Sequence, residues 1–155
     1  MNDRYLYRAK RKNWRELPEE KWWVEGNLVW SDDADDDYKA IIIPTTGSNM
    51  FTKGGSGGDL GFEKWYRVDP STICKCTGLK DKNGKLIWEN DIMVAHLDDS
   101  FPEDATYTRV VWDNNGFCTK EQGSDDISLL DKFDQEYFEV CGNRFDNPEL
   151  LEVGE

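Results

Sequence analysis

The sequence predicts an all-β protein with little helix. Short segments of alternating apolar and polar residues run along the chain, which is typical of half-buried strands. Turn residues bound these segments, as expected for strands in a compact sheet. Apolar residues make up 37% of the 155 residues and include seven Trp. A chain of this length and composition can bury a core without a disulfide or a metal ion.

The first part of the chain contains four predicted strand regions, which we assign to an N-terminal β segment over residues 1–70. Pro44 and Pro70 end two of these regions, because proline cannot donate to a sheet ladder. Residues 32–37 carry five Asp and are predicted to be a loop, as is the glycine-rich stretch of residues 45–61. The strand regions are residues 5–10, residues 21–30 as two short strands around Gly26-Asn27, residues 38–44 and residues 62–69.

The second part, residues 71–155, is predicted to form a small SH3-like β-barrel on which the N-terminal segment packs. Asn83-Gly84 is the strongest short signal for a β-hairpin and predicts a type I′ turn. The sequence around Asn114 and Gly116 predicts a second hairpin, and the strand over residues 85–97 is expected to bend near Asn90. Residues 127–133 fit one helical turn. The strand regions are residues 72–79, 85–97, 106–113, 116–122 and 136–145.

Charge is distributed unevenly along the chain, whose net charge is −13. Residues 73–155 carry eight Lys/Arg and nineteen Asp/Glu, for a balance of −11. This field repels nucleic-acid phosphates and therefore disfavours direct nucleic-acid binding. It attracts a basic partner surface, unless it serves only to keep the protein soluble. The exception is a basic strip near the N-terminus, formed by Arg4, Arg8, Lys10, Arg11 and Lys12.

Neither a signal peptide nor a membrane-spanning stretch is visible in the sequence. We therefore expect a cytoplasmic protein, in which the four Cys stay reduced. Whether Cys74, Cys76, Cys118 and Cys141 converge on a zinc ion is open, although C-x-C differs from the usual C-x₂₋₄-C spacing. We expect no cofactor and no metal.

The segment DKNG (residues 81–84) resembles a calcium loop at first sight. Placing Gly84 at the sixth position of an EF-hand loop puts Leu79 at the first position and Asn90 at the twelfth, so two essential carboxylates are missing. The residues are better explained as a turn.

Glu89 and Asp91 lie two residues apart and would share one face of an extended strand. They could therefore supply the carboxylates of a metal-assisted hydrolase. The alternative is that Asp91 bonds local backbone amides at the entry to a strand. His96 is the only histidine, and no motif surrounds it.

Trp22 and Trp23 are the candidate partner-contact residues, together with Arg8, Lys10 and Arg11. Adjacent residues in a strand face opposite ways, so one Trp would lie outside the core that the other enters. An exposed Trp indicates a contact surface, because Trp is enriched at interface hot spots. Burial of both on the two faces of a sheet is the alternative.

Several segments in one order resemble the YopX-like proteins of phages, prophages and other mobile elements. The most specific is TGLKDKNGKLIWENDI (residues 77–92), and VDPSTI (residues 68–73) and GNRFDNPELL (residues 142–151) are also similar. Asn90 replaces the glycine usual in that pattern, so the backbone there must accept Asn at a positive φ. Cys76 and Cys141 stand where aromatic or aliphatic residues are typical, which weakens the zinc hypothesis.

The resemblance implies a mostly β, barrel-containing fold and homo-oligomers, and it implies no reaction. We therefore predict a non-enzymatic accessory protein that binds itself or a host or phage protein. Two alternatives stay open, namely a nucleic-acid-associated or DNA-mimic protein acting on host DNA-binding proteins, and the hydrolase using Glu89 and Asp91. The motif residues expected to be structural are Thr77, Gly78, Asn83, Gly84, Asp91, Gly142 and Asn143.

Overall fold

A computed structural model describes residues 5–32, 38–54, 58–97, 100–101, 104–114 and 116–152. Arg4 of the basic strip, residues 33–37 of the Asp run, residues 55–57 of the glycine-rich stretch and Asn115 of the second predicted turn lie outside these residues. The chain forms two compact units that divide between Lys75 and Cys76. The sequence-based division lies five residues earlier, between residues 70 and 71.

The N-terminal unit is built on an antiparallel sheet. Its strands are β1 (Tyr7–Lys10), β2 (Trp23–Trp30), β3 (Ala40–Pro44), β4 (Met50–Lys53), β5 (Asp59–Phe62) and β6 (Tyr66–Arg67). The order in the sheet is β6-β3-β2-β1, and β4 pairs with β5 as a separate hairpin. The buried core of the unit consists of Ala9, Val24, Ala40, Ile42 and Val68.

Two sequence predictions in this unit are wrong. β2 is one continuous strand, and Gly26 lies inside it rather than at a turn. A Cβ at Gly26 would overlap the carbonyl of Ile43 on β3, so glycine allows the two strands to approach closely. The predicted loop of residues 45–61 contains β4 and most of the β4–β5 hairpin, because Met50, Phe51 and Leu60 supply strand-forming side chains on either side of the glycines.

The C-terminal unit contains a hairpin and a second sheet. Its elements are β7 (Cys74–Lys80), β8 (Leu86–Trp88), β9 (Asp91–Ala95), β10 (Thr106–Asp113), β11 (Gly116–Glu121), β12 (Ile127–Leu129), the helix α1 (Lys132–Tyr137) and β13 (Glu139–Asn143). β7 crosses the division between the units. Cys74 belongs to the N-terminal unit and pairs there with Arg8 of β1, whereas Cys76 belongs to the C-terminal unit and pairs there with Trp88 of β8. The core of the C-terminal unit consists of Ile87, Met93, Ala95, Val110 and Phe138.

The all-β prediction is confirmed, but the barrel is not closed. Among the described residues, the second sheet has the order β12-β11-β10-β9-β13, and its outer strands β12 and β13 do not pair with each other. β12 is three residues long and exposed. Immediately after it, Asp131 caps α1 and diverts the chain before β13 begins. The predicted helical turn is thus α1, displaced toward the C-terminus.

The β7–β8 hairpin has a three-residue loop rather than the predicted type I′ turn. The amide of Asp81 donates to the carbonyl of Lys85 (2.8 Å), and Gly84 alone in the loop has a positive φ, of 81°. These features are those of a three-residue hairpin loop whose last residue adopts the left-handed backbone conformation. The Asp81 carboxylate accepts from the amides of Asn83 and Lys85, each at 2.9 Å, and from the amide of Val140 at 2.8 Å. DKNG is therefore a turn fastened to β13.

The other motif residues also contact backbone. The Thr77 hydroxyl donates to the carbonyl of Ile87 (2.7 Å), and Gly78 has a φ of 79° where the register of β7 shifts. The Asn143 side chain accepts from the amides of Phe145 and Asp146, each at 2.9 Å. A Cβ on Gly142 would overlap the Asn147 side chain. Each residue holds a turn or an irregular strand segment.

The β8–β9 connection contains the expected bend. Asn90 has a φ of 71°, which confirms that the backbone there accepts Asn in the left-handed region. Asp91 is buried, and its Oδ2 accepts from the amide of Trp88 at 2.7 Å. The second predicted hairpin joins β10 and β11, whose register runs from Thr108 opposite Glu121 to Asp113 opposite Gly116.

Candidate protein-binding surface

A tryptophan cluster of Trp14, Trp22 and Trp23 surrounds one buried cation in the N-terminal unit. The Nζ of Lys10 lies 3.8 Å from the ring centroid of Trp14, 4.5 Å from that of Trp22 and 5.7 Å from that of Trp23. Trp14 and Trp22 contact each other edge to face at 5.0 Å. Aromatic faces attract a cation, and most strongly when water is excluded.

The backbone explains how neighbouring tryptophans reach one ammonium group. Trp22 ends a 3₁₀ turn with φ −65° and ψ −46°, and the strand β2 begins only at Trp23. The prediction that the two rings face opposite ways is therefore wrong, because it assumed that both residues are extended. The Trp22 indole N–H donates to the carbonyl of Leu17 at 2.9 Å, which fixes the orientation of this ring.

The structure corrects the prediction that Lys10 contacts a partner. Its side chain is 2% exposed, so its ammonium group cannot touch a partner. Its amide donates to the Thr72 hydroxyl (2.8 Å), and its carbonyl accepts from the amide of Asp69 (2.8 Å). Lys10 therefore supports the tryptophan cluster from inside.

Arginine side chains extend the cluster toward solvent. The guanidinium of Arg8 lies 4.9 Å from the Trp23 ring, and that of Arg15 lies 4.4 Å from the Trp14 ring. Burial opposes ionisation of Asp69, but hydrogen bonds from Ser71 and the charge of Arg15 outweigh it and lower the pKa of this carboxyl. The cluster thus presents half-buried rings flanked by permanent positive charge.

Arg11 belongs to a neighbouring basic cavity. Its guanidinium lies 4.1 Å from the Tyr66 ring. The cavity has a volume of about 240 Å³ and is lined by Arg11, Lys12, Asn13, Trp65, Tyr66 and Arg67. Cationic side chains dominate it, although the net charge of the chain is strongly negative.

An apolar groove adjoins this basic cavity through Trp65. The groove, about 260 Å³ in volume, is lined by Tyr38, Ile41, Ile43, Leu60, Gly61, Phe62 and Trp65. The Tyr38 and Trp65 rings lie 6.5 Å apart, and the Arg67 guanidinium lies 5.5 Å from the Tyr38 ring. Trp65 is 47% exposed and lines both spaces. We call the basic cavity and the apolar groove together the Trp65 surface.

The sequence analysis missed most of the Trp65 surface. It placed Leu60 in a glycine-rich loop and gave Tyr38 and Trp65 no role. The apolar residues within residues 45–61 could have indicated this surface. A simple linker seldom carries large exposed apolar side chains such as those of Met50 and Leu60. The groove itself depends on the pairing of Ile41 with Arg67 in β3 and β6, which are distant in sequence.

Two of the residues considered for chemistry, Asp91 and His96, have contacts to nearby backbone. Asp91 is buried in the turn that its carboxylate holds, and the Nδ1 of His96 lies 3.2 Å from the carbonyl oxygen of Asp104. Of the four cysteines, Cys74, Cys76 and Cys118 are buried, and Cys141 is exposed. Among the described residues, no three His, Cys, Asp or Glu side chains are placed to hold a metal ion.

Burial and nearby carboxylates make the thiols of Cys118 and Cys141 less acidic. Burial and the charge of Asp113 raise the pKa of Cys118. Cys141 is exposed as a residue, but its Sγ donates to the Ile92 carbonyl at 3.4 Å and is partly shielded from water. This desolvation raises the pKa of Cys141, and the charges of Glu139 and Asp91 add to the effect. Neither environment favours a thiolate nucleophile or metal ligand. In the part of the chain that the structure describes, no helix has the length and apolar character of a bilayer span.

The fold and the surface define an all-β protein of two units that displays aromatic and basic side chains on its N-terminal unit. The family model described as YopX protein matches residues 7–152. The chain therefore belongs to the YopX protein family.

A solved structure supports the fold independently. The crystal structure of protein EF1440 from Enterococcus faecalis matches with 24% sequence identity and a TM-score of 0.55, over 94% of this chain and 96% of that chain. No curated protein matches this chain. The family model gives the family and the solved structure gives the fold, and neither assigns a reaction.

Proposed function

We propose that this protein is a non-enzymatic, self-associating protein-binding module that serves a phage, prophage or related mobile element in the bacterial cytoplasm. The observation that carries the proposal is the Trp65 surface. There one exposed Trp joins a basic cavity to an apolar groove. Aromatic residues and Arg around a desolvated pocket are the composition of interface hot spots.

Charge favours a second copy of the chain as the occupant. Residues 4–75 carry twelve Lys/Arg and twelve Asp/Glu, whereas residues 76–155 carry seven and nineteen, for a net charge of −12. An acidic surface of one copy complements Arg11, Lys12 and Arg67 of another. The apolar groove then takes an apolar side chain of the same partner. Such a contact joins two different surfaces, so it generates a dimer if two chains exchange it reciprocally, and rings or open chains if they do not.

Light scattering at micromolar concentration and low salt tests the proposal. We expect a mass that is a multiple of 18.0 kDa for the unaltered chain and 18.0 kDa for Trp65→Ser and for Arg11→Glu. The matched control is Trp30→Ser, which removes a similarly exposed Trp, at 48%, that lines neither the basic cavity nor the apolar groove. The control should keep the oligomer.

The outcomes separate the parts of the proposal. A mass of 18.0 kDa for the unaltered chain at low salt would defeat self-association. An equal loss of mass in the Trp65 and Trp30 variants would show that the effect is not specific to the Trp65 surface. Association that persists in high salt would remove the electrostatic argument, because salt screens exposed charges beyond about 10 Å at 0.1 M.

The charge of the C-terminal unit favours a second function, that of a DNA mimic. Its nineteen acidic residues against seven basic ones provide the negative field that a DNA-binding protein recognises. Pull-down from bacterial lysate with mass spectrometry, repeated with excess duplex DNA as competitor, tests this candidate. A DNA-binding protein that duplex DNA displaces would support mimicry, and capture of partners unaffected by DNA would exclude it.

A further inference from the structure

The C-terminal unit contains an acidic cavity that the proposed function does not use. Its volume is about 420 Å³, within the range of small-molecule sites. Four carboxylate side chains line it, those of Glu121, Asp126, Asp131 and Asp134. Glu121 is the last residue of β11. The other three carboxylates lie just before β12, just before α1 and within α1.

A buried hydroxyl without a partner also lines this cavity. Thr108 is 5% exposed, and its Oγ1 has no hydrogen-bond partner among the described residues. Thr108 lies directly opposite Glu121 across β10 and β11, so the two side chains share one face of the sheet. A buried polar atom of this kind requires an explanation, because leaving it unsatisfied costs free energy. A ligand that donates a hydrogen bond would satisfy it.

The negative charge of the cavity is not neutralised within the described residues. None of the four carboxylates that line the cavity forms an ion pair with another described residue. Lys132, adjacent to Asp131 in sequence, pairs with Glu136 at 3.9 Å. Asp131 and Asp134 accept from each other's backbone amides, at 3.2 Å and 3.0 Å. Burial raises the pKa of Asp134, and the adjacent Asp131 carboxylate adds to this rise.

The remaining wall is apolar and partly aromatic. Phe133 and Phe138 line the cavity with ring centroids 6.4 Å apart, and Leu97 and Leu129 complete this side. Acceptors on one side and aromatic and aliphatic groups on the other suit a ligand with a cationic head and a hydrocarbon stem.

We propose that this cavity binds an alkylammonium ion, with its ammonium group hydrogen-bonded to Thr108 and to the carboxylates and its alkyl stem against Phe133. A primary ammonium group has three donors and no acceptor, which matches a site that offers only oxygens. The stem of four or five methylenes in a lysine side chain or a polyamine fits the apolar wall. The proposal is independent of the Trp65 surface, since both the cavity and its lining belong to the C-terminal unit.

Titration of the full chain, followed by ¹H–¹⁵N NMR, tests the site. The probes are cadaverine, which represents a free polyamine, and Nα-acetyl-lysine N-methylamide, which represents a protein side chain. We expect saturable one-to-one binding with the largest shifts at Thr108 and Thr119, and the tighter probe identifies the source of the ligand. Glu121→Gln should weaken binding about tenfold, because it removes a negative charge that faces the ammonium group. Thr108→Val should weaken binding about tenfold, because it removes a hydrogen bond to a charged group.

Two controls make the test decisive. Glu149→Gln removes one exposed negative charge outside the cavity and should bind both probes as the unaltered chain does. 1-Pentanol has a stem of similar length without charge and should cause no saturable shifts. Linear shifts without saturation, equal weakening in the Glu121 and Glu149 variants, or equal binding of pentanol would each overturn the proposal.

Discussion

The ammonium of Lys10 lies 3.8 Å from the centroid of the Trp14 ring, and water is excluded from the contact. Lys10→Met keeps the length and volume of the side chain but removes the charge. We expect the free energy of unfolding to fall by about 1–2 kcal/mol, the size of a desolvated cation–π interaction. Chemical denaturation followed by Trp fluorescence measures this change. Lys21→Met, at an exposed lysine, should stay within about 0.5 kcal/mol, and equal stability of both variants would contradict the expectation.

Replacing Asp81 separates its local contacts from its long-range one. In Asp81→Asn the amide oxygen can still accept from the amides of Asn83 and Lys85, but the new NH₂ group faces the N–H of Val140. We expect a loss of about 1–3 kcal/mol of unfolding free energy, because a buried donor is left unsatisfied. Urea denaturation measures the loss. Asp104→Asn, at an exposed position, is the control, and a similar loss there would refute the explanation.

Asn90 is the one described non-glycine residue with a positive φ, which makes its substitution a test of backbone strain. Asn90→Ala should lower the free energy of unfolding by about 1–2 kcal/mol, because a Cβ without a compensating side-chain bond disfavours the left-handed region. Asn90→Gly should cost less than Asn90→Ala, since glycine adopts this region freely. Thermal unfolding of the Asn90→Ala and Asn90→Gly variants measures this difference. A less stable Asn90→Gly variant would exclude backbone strain as the cause.

The raised pKa of Asp134 predicts a pH dependence with a definite sign. Its folded-state pKa lies above the ordinary value of 3.8, first because of burial and then because of Asp131. In the window between the two pKa values the folded state binds more protons, so this group lowers stability as pH rises through the window. Asp134→Asn should remove that contribution. The difference in unfolding free energy between the two chains, measured from acid to neutral pH, should therefore change across the window, and a flat difference would contradict it.

Cys141 is expected to be the first thiol to react in the folded protein. It is the exposed cysteine, whereas Cys74, Cys76 and Cys118 are buried. Burial and the charges of Glu139 and Asp91 raise its pKa, so alkylation by iodoacetamide should be slow at neutral pH and should accelerate as pH rises through this raised pKa. Mass spectrometry of the labelled peptide measures the rate. Faster labelling at any buried cysteine would contradict this order.

Local pattern was sufficient to predict strands whose pairing is also local. The predicted strand of residues 106–113 coincides with β10, because alternation and the following turn define both its face and its end. The bend at Asn90 was predictable for the same reason, since the residue type carries the backbone preference. Gly26 shows the limit of such reasoning. Its role depends on the Ile43 carbonyl of another strand, and no local pattern distinguishes close packing from a turn.

The candidate surface was predictable only in part. The basic strip and the paired tryptophans stand out in sequence, yet their contacts depend on the turn that places Trp22 beside Lys10. The Trp65 surface combines residues from β3, β5, the start of β6 and the segment after β1. Such convergence depends on sheet order, which composition and periodicity do not specify.

The bond between the Asp81 carboxylate and the Val140 amide spans 59 positions of the chain. During translation the first hairpin of the C-terminal unit leaves the ribosome well before residue 140 is synthesised. Until then Asp81 can satisfy only the amides of its own loop. This bond therefore forms only after residue 140 has been released, and a nascent chain halted before that point holds the hairpin tip by its local bonds alone.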